Sequence, residues 1–327
     1  MTMNIQLDVT ELAPQLPKEE AQKAAASLSE WSNMNVYPSS LSITQQSLFF
    51  FGHKDQEKFL GVLTGQQSVL DKFDGLARSV SVENNDLTVL RCPTSALNAA
   101  ALRTFLPFLT ARTWGLEKSA GTGDRLGLAT PGHIRSFRNI AERTDKGDVG
   151  PILAQQSIRE NVRTGRTPQE VMDDAMWGAL QEGWRTGFGA DADHLKNTDD
   201  IDTCAAAGYT FYTIDPGEYV DDEANNAPQA RLLEKSETLP WETLDTNFDD
   251  LKVRLTTKAV DLGGFKLTIS EEELLRAAVK YGPAVAHTVK MYRHLSDVMS
   301  GKPFEFEMSV DETETITTLA EHNAGLS

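Results

Sequence analysis

The chain has 327 residues, with 48 acidic against 31 lysine and arginine side chains and a formal net charge of -17. That length suffices for one barrel-sized domain or two smaller ones with a sizeable core, and the charge repels phosphate backbones, which excludes nucleic acid as a partner. Cys92 and Cys204 lack CxxC or Cys/His spacing, no apolar run approaches a membrane span, and the N-terminus, with Asp8, Glu11, Glu19 and Glu20, lacks the plan of a signal peptide; the reading is a soluble, cytoplasmic protein with no membrane partner, disulfide framework or structural zinc.

In chain order, short β-rich runs at 47–51, 59–63 and 87–90 are separated by turn-type residues such as Gly52, Gly65 and the Asn84-Asn85-Asp86 cluster. They predict a small antiparallel or α+β leader. A helix is expected around 96–106, ended or kinked by Pro107, and a boundary near Gly121.

A strand-then-helix rhythm follows. The run 125–129 reads as a strand, and Thr130-Pro131 as an N-cap with proline at the first helical position of a helix to about Arg143. Residues 151–154 read as the next strand, and Thr167-Pro168-Gln169-Glu170 is a capping box opening a helix to about Thr186. A third unit takes 189–193 as strand and 199–207 as helix, with Gly208 where a C′ glycine belongs. Residues 209–214 form a fourth strand. Between 215 and 250 acids far outnumber the bases Arg231 and Lys235, which predicts a solvated excursion or a lid. Ser270-Glu271-Glu272-Glu273 is a second capping box, starting a helix that ends near Met299, and 304–310 reads as a fifth strand.

Strands joined by helices run parallel and wind into a doubly wound sheet or a barrel. No GxGxxG or GxxxxGK[ST] turn follows any of these strands, which favours the barrel. The expected fold is therefore α/β: a TIM-like (β/α) barrel over 121–327, with the acidic excursion at 216–250, behind an N-terminal α+β leader over 1–120. A barrel requires eight units, so five predict an incomplete one with an exposed edge strand.

Barrel chemistry sits at the C-terminal ends of strands. Those ends carry Asp124, Arg125 and His133; Gln155, Gln156 and Arg159; Asp191, Asp193, His194 and Lys196; Asp215 and Glu218; and Asp311, Glu312 and Thr313. Each carboxylate has a rival explanation as a helix cap. His53 and His294 read as structural or exposed, His287 as a helix packing residue, and His133 as a packing or a site residue. Trp177 and Trp184 read as core. His194, beside Asp193, is the best ligand or acid/base candidate.

The runs Gly123-Asp-Arg-Leu-Gly-Leu-Ala-Thr-Pro-Gly-His133, Gln155-Gln-Ser-Ile-Arg-Glu160, Arg163-Thr-Gly-Arg-Thr-Pro-Gln-Glu-Val-Met-Asp-Asp174, Gly189-Ala-Asp-Ala-Asp-His-Leu-Lys196, Thr213-Ile-Asp-Pro-Gly-Glu218 and Ser309-Val-Asp-Glu-Thr-Glu314 resemble the tagaturonate epimerases, over about residues 120 to 322. The resemblance implies a metal-dependent TIM-like barrel of hexuronate catabolism that interconverts tagaturonate and fructuronate, with a small-molecule sugar acid as partner. It also implies a chain that continues beyond the point where this one ends.

The inverted carbon of such a ketose acid lies β to the ketone, so enolisation cannot invert it, whereas retro-aldol cleavage and re-addition can. That route asks for a divalent cation, a general base and a cationic clamp for the carboxylate. The expected assignments are Glu312, Asp215 and His194 as metal ligands, Asp193 and His133 as acid/base groups, and Arg125, Gln155, Gln156 and Lys196 as substrate-holding groups. An aldolase or ketose isomerase on the same barrel would use the same residues. The barrel count further leads to the expectation that this chain is an inactive or nearly inactive fragment.

Overall fold

The apolar run Leu48-Phe49-Phe50-Phe51 is buried on both sides, which a strand between two layers requires. In the computed structural model, which describes residues 7–82, 85–143, 149–311 and 313–325, it lies in the strand Ser47–Lys54. Leu48 and Phe50 pack into a core with Ala24, Ala25 and Leu28 of the helix Lys18–Ser32. Phe49 and Phe51 point the other way: Phe49 meets Phe105 at 5.0 Å, and Phe51 stacks on Trp177 at 5.3 Å with planes 2° apart. Trp177 is thus core, as read from the sequence.

The strand Ser47–Lys54 pairs antiparallel with Glu57–Thr64, which pairs with Asn85–Pro93, and that in turn with Leu76–Val82. The leader strands expected from the sequence are present and antiparallel, and the helix Ala96–Phe105 stops before Pro107 as expected. The helix Lys18–Ser32 was not anticipated. Its buried stripe is made of alanines, Ser27 and Leu28, too weakly apolar to stand out as a periodic pattern.

The chain divides into two compact units, one running to Ala192 and including Ala206–Phe211, the other made of Asp193–Ala205 and the residues from Tyr212 on. In the first, a short strand Ser119–Gly121 pairs parallel with Gly150–Ser157, with Gly121 opposite Ile152. The strand expected at 125–129 is absent. Residues 122–129 form a loop organised by Asp124, whose carboxylate accepts the backbone N–H groups of Leu126, Leu128, Ala129 and Thr130 at 3.2, 3.1, 2.6 and 3.1 Å. The Asp124 side chain therefore takes the Thr130 amide that opens the helix Thr130–Arg143 together with three loop amides before it, so the capping role the sequence assigned to Thr130 falls to Asp124. The helix Pro168–Glu182 has the expected Thr167/Glu170 capping box but ends on Gly183 in the left-handed region, short of the expected end near Thr186.

The strands Gly189–Leu195 and Phe211–Ile214 each run through the division between units. Within the first unit Thr210 N donates to Ala190 O, and within the second Asp215 N donates to Leu195 O. Partner numbers rise together, as in a parallel ladder. In the second unit the strand Glu305–Met308 joins Phe211–Ile214, with Ser309 N donating to Ile214 O.

The acidic stretch is not a solvated coil. It folds into short helices, among them Gln229–Glu237 and Phe248–Thr256. Ala224, Ala227 and Leu232 form a core with Leu275 and Val279 of the 29-residue helix Glu271–Met299, which starts at the expected Ser270/Glu273 capping box. The acids occupy the outer faces. Observed as a whole, this is a mixed α/β fold. Among the described residues, no helix is long and apolar enough to cross a membrane.

Candidate functional site

Parallel strands deliver their C-terminal residues to one edge of a sheet, where helices have not yet covered the backbone. In the first unit that edge holds Gln155, whose Nε2 donates to Asp191 Oδ2 at 3.1 Å. The amide fits there because Gly121, on the neighbouring strand, has no side chain: a Cβ at that position would lie 2.4 Å from Gln155 Oε1. Gln156, alternating to the other face, is buried, and its Nε2 has no hydrogen-bond partner among the described residues.

Arg125 follows Asp124 in the organised loop and reaches Glu160 Oε2 at 3.3 Å, its side chain 67% exposed. Asp124 itself is consumed by structure. Burial pushes its carboxyl pKa up, but the four backbone N–H groups outweigh burial and hold it below the usual carboxylate range. His133, one turn into the helix Thr130–Arg143, has a buried Nδ1 with no hydrogen-bond partner among the described residues.

In the second unit the strand end turns at His194, whose φ of 56° is in the left-handed region, uncommon for a non-glycine residue and costing about 1–2 kcal/mol. That turn sets the imidazole between two carboxylates. Nδ1 lies 2.8 Å from Asp193 Oδ1 and Nε2 3.2 Å from Asp311 Oδ2. Ionised carboxylates only accept hydrogen bonds, so serving both requires a proton on each ring nitrogen, the imidazolium form. Burial lowers the pKa of His194, but the hydrogen bonds and charges of Asp193 and Asp311 outweigh it and raise the pKa above the ordinary histidine value. Asp193 and His194 are about a quarter to a third exposed, open enough to meet a small solute.

Beside them, Lys196 Nζ donates to Glu218 Oε1 at 2.9 Å and lies 3.7 Å from Asp215 Oδ2. The Asp215 carboxylate also accepts the Gly217 amide at 3.0 Å. Past Glu218, the Tyr219 ring stacks on His287 with centroids 4.1 Å apart and planes 14° apart. Sequence reading put Lys196, Asp215 and Glu218 at strand ends without pairing them. It also left Asp311 unmatched to His194, a pairing across 117 positions for which no local signal exists.

Of the three expected metal ligands, Glu312 lies outside the described residues, Asp215 faces Lys196, and both His194 nitrogens are taken by carboxylates. Among the described residues no group of three or more His, Cys, Asp or Glu side chains converges in a way that could hold a metal ion.

The family model for UxaE, tagaturonate epimerase, matches residues 37–324. The tagaturonate/fructuronate epimerase of Thermotoga maritima is 39% identical over 274 residues, covering 84% of this chain and 53% of that protein. The glycerol-bound crystal structure of fructuronate-tagaturonate epimerase UxaE from Cohnella laeviribosi superposes with a TM-score of 0.77 at 29% identity, over 94% of this chain and 58% of that one. Its native crystal structure gives the same TM-score over 93% of this chain. The chain spans little more than half the length of these relatives.

Proposed function

The chain belongs to the tagaturonate epimerase family, and from that premise we propose that it interconverts tagaturonate and fructuronate through groups at the ends of its parallel strands. The observation that carries the reading is the family match across residues 37–324, a span containing every candidate site residue from Arg125 to Glu312. The strand-and-helix units are read as part of a TIM-like (β/α) barrel over 121–327 carrying the site motifs, with 1–120 as its leader, and the reaction as cytoplasmic.

The chemistry proposed is retro-aldol inversion. Asp193 accepts the proton of the hydroxyl on the carbon to be inverted. The resulting alkoxide collapses to an aldehyde, the adjacent carbon–carbon bond breaks, and its electron pair moves onto the ketone oxygen as an enediolate. The aldehyde turns its other face and the enediolate adds back. The new alkoxide then recovers its proton from Asp193, so atoms and charge balance. Positive charge near the developing enediolate stabilises it, and the imidazolium of His194 and the ammonium of Lys196 are the cations of the second unit assigned to that work. In the first unit, Arg125, Gln155 and Gln156 are assigned to the substrate carboxylate and hydroxyls, and His133 to proton transfer. A divalent cation at Glu312, Asp215 and His194 is a separate proposal and an alternative to the imidazolium, because a nitrogen that holds a metal carries no proton; metal analysis of the purified chain tests it.

Arg125→Ala and Lys196→Ala test the clamp. Each is expected to raise KM for a uronate more than for the matching neutral ketose, which has no carboxylate to pair. Equal effects on both substrates would remove these residues from the role. Product analysis in the same assay separates inversion from net cleavage, from aldose formation, and from the inactivity expected on the strand count.

A further inference from the structure

One side of the helix Glu271–Met299 carries Pro283, Ala286, His287, Lys290 and Arg293, a spacing that aligns them along a single helical stripe. Tyr219, Pro240 and Thr243 complete a pocket of about 490 Å³ over this stripe. In a chain of net charge -17 the lining is unusual, because it holds Lys290, Arg293 and His287 and no carboxylate. Neither Lys290 nor Arg293 makes an ion pair among the described residues, and both are exposed. Arg293 is oriented all the same, its Nη2 donating to Thr243 O at 3.3 Å. The nearby acid, Glu218, spends its charge on Lys196 at 2.9 Å.

Two cations held over an acid-free concavity attract a compact anion, and an arginine fork with a lysine beside it matches the tetrahedral oxygens of a phosphate. We infer that the pocket lined by Lys290, Arg293, His287, Tyr219, Pro240 and Thr243 binds a small oxyanion of the phosphate class. Its lining includes none of the Asp193–His194–Asp311 and Lys196–Asp215–Glu218 side chains, and the inference does not rest on the epimerase reading. Burial holds the His287 pKa below its ordinary value and the Lys290 charge pushes in the same direction, against the Lys196 backbone and the Glu218 charge, which push it up. The pocket borders the strand-end groups, because its Tyr219 follows Glu218 directly. An anion seated there would bear on the Lys196–Glu218 pair.

The test is equilibrium dialysis of the full chain against radiolabelled inorganic phosphate, with sodium chloride holding ionic strength constant. Saturable binding of one phosphate per chain, with a Kd on the order of 1 mM, is expected. Lys290→Ala with Arg293→Ala should weaken it by about tenfold or more, as should Thr243→Glu, which places a carboxylate in the pocket and leaves both cations in place. Lys302→Ala, on an exposed lysine outside the lining, should leave it unchanged. Non-saturable uptake, or wild-type binding by both pocket variants, would overturn the inference.

Discussion

Lys280 is the buried charge on which the second unit depends, and replacing it with methionine removes that charge at nearly constant length. Its side chain is fully buried on the helix Glu271–Met299, with Nζ donating to Glu321 Oε1 at 3.1 Å and to Thr315 Oγ1 at 2.9 Å. Glu321, only 10% exposed, spends its other oxygen on the Thr318 amide at 2.6 Å, opening the helix Leu319–Gly325. Burial raises the Glu321 pKa, yet the Thr318 and Lys280 hydrogen bonds outweigh it and hold it below the usual range. Lys280→Met thus leaves a buried carboxylate with no counter-charge, which costs about 3–5 kcal/mol. In urea denaturation this appears as a fall in midpoint with little change in slope, and in thermal melting as a drop of about 10 °C. The double variant Lys280→Met with Glu321→Leu should recover most of the loss, because the desolvation cost of both charges disappears with them. A single variant costing under about 1 kcal/mol, or a double variant no better than the single, would refute this.

Asp124→Ala strips four backbone donors of their acceptor and should destabilise the first unit by about 2 kcal/mol or more, measured by chemical denaturation. Because the folded-state pKa of Asp124 is depressed, its contribution is present above the unfolded carboxylate value and is lost as pH falls through the folded one. The wild-type advantage over Asp124→Ala should accordingly shrink below about pH 4. His194 has the opposite sign: its pKa is raised, so its contribution is full below the unfolded value and is lost as pH rises through the folded one. An imidazole NMR titration should place His194 above about 6.5, and Asp311→Asn should bring it down.

The sequence made legible what is written locally. The Thr167/Glu170 and Ser270/Glu273 capping boxes each need residues three apart, and both were found where they were read. Asp193 and His194 were legible because they are neighbours. The run 125–129 misled because Leu126, Leu128 and Ala129 are apolar while their amides are tied to Asp124, a bond that replaces strand pairing. Asp124 and Arg125 still belong to a strand end, since the strand Ser119–Gly121 runs into their loop. The acidic stretch misled through composition, which registers Glu223, Asp249 and Asp250 but not the spacing that buries Ala224, Leu232 and Leu251. What no local pattern carries is long-range pairing, such as His194 with Asp311 or His287 with Tyr219.

The proposed reaction rests on a carboxylate at position 193 that accepts a hydroxyl proton beside an imidazolium. The most direct measurement incubates the purified chain with tagaturonate, separates fructuronate by chromatography, and compares Asp193→Asn, which keeps the shape of the side chain while removing the base. The account predicts fructuronate formation by the wild-type chain and a loss of about 10²- to 10⁴-fold in kcat for the variant, the range expected for removing a general base. No fructuronate from the wild-type chain, or an Asp193→Asn variant turning over at the wild-type rate, would contradict it.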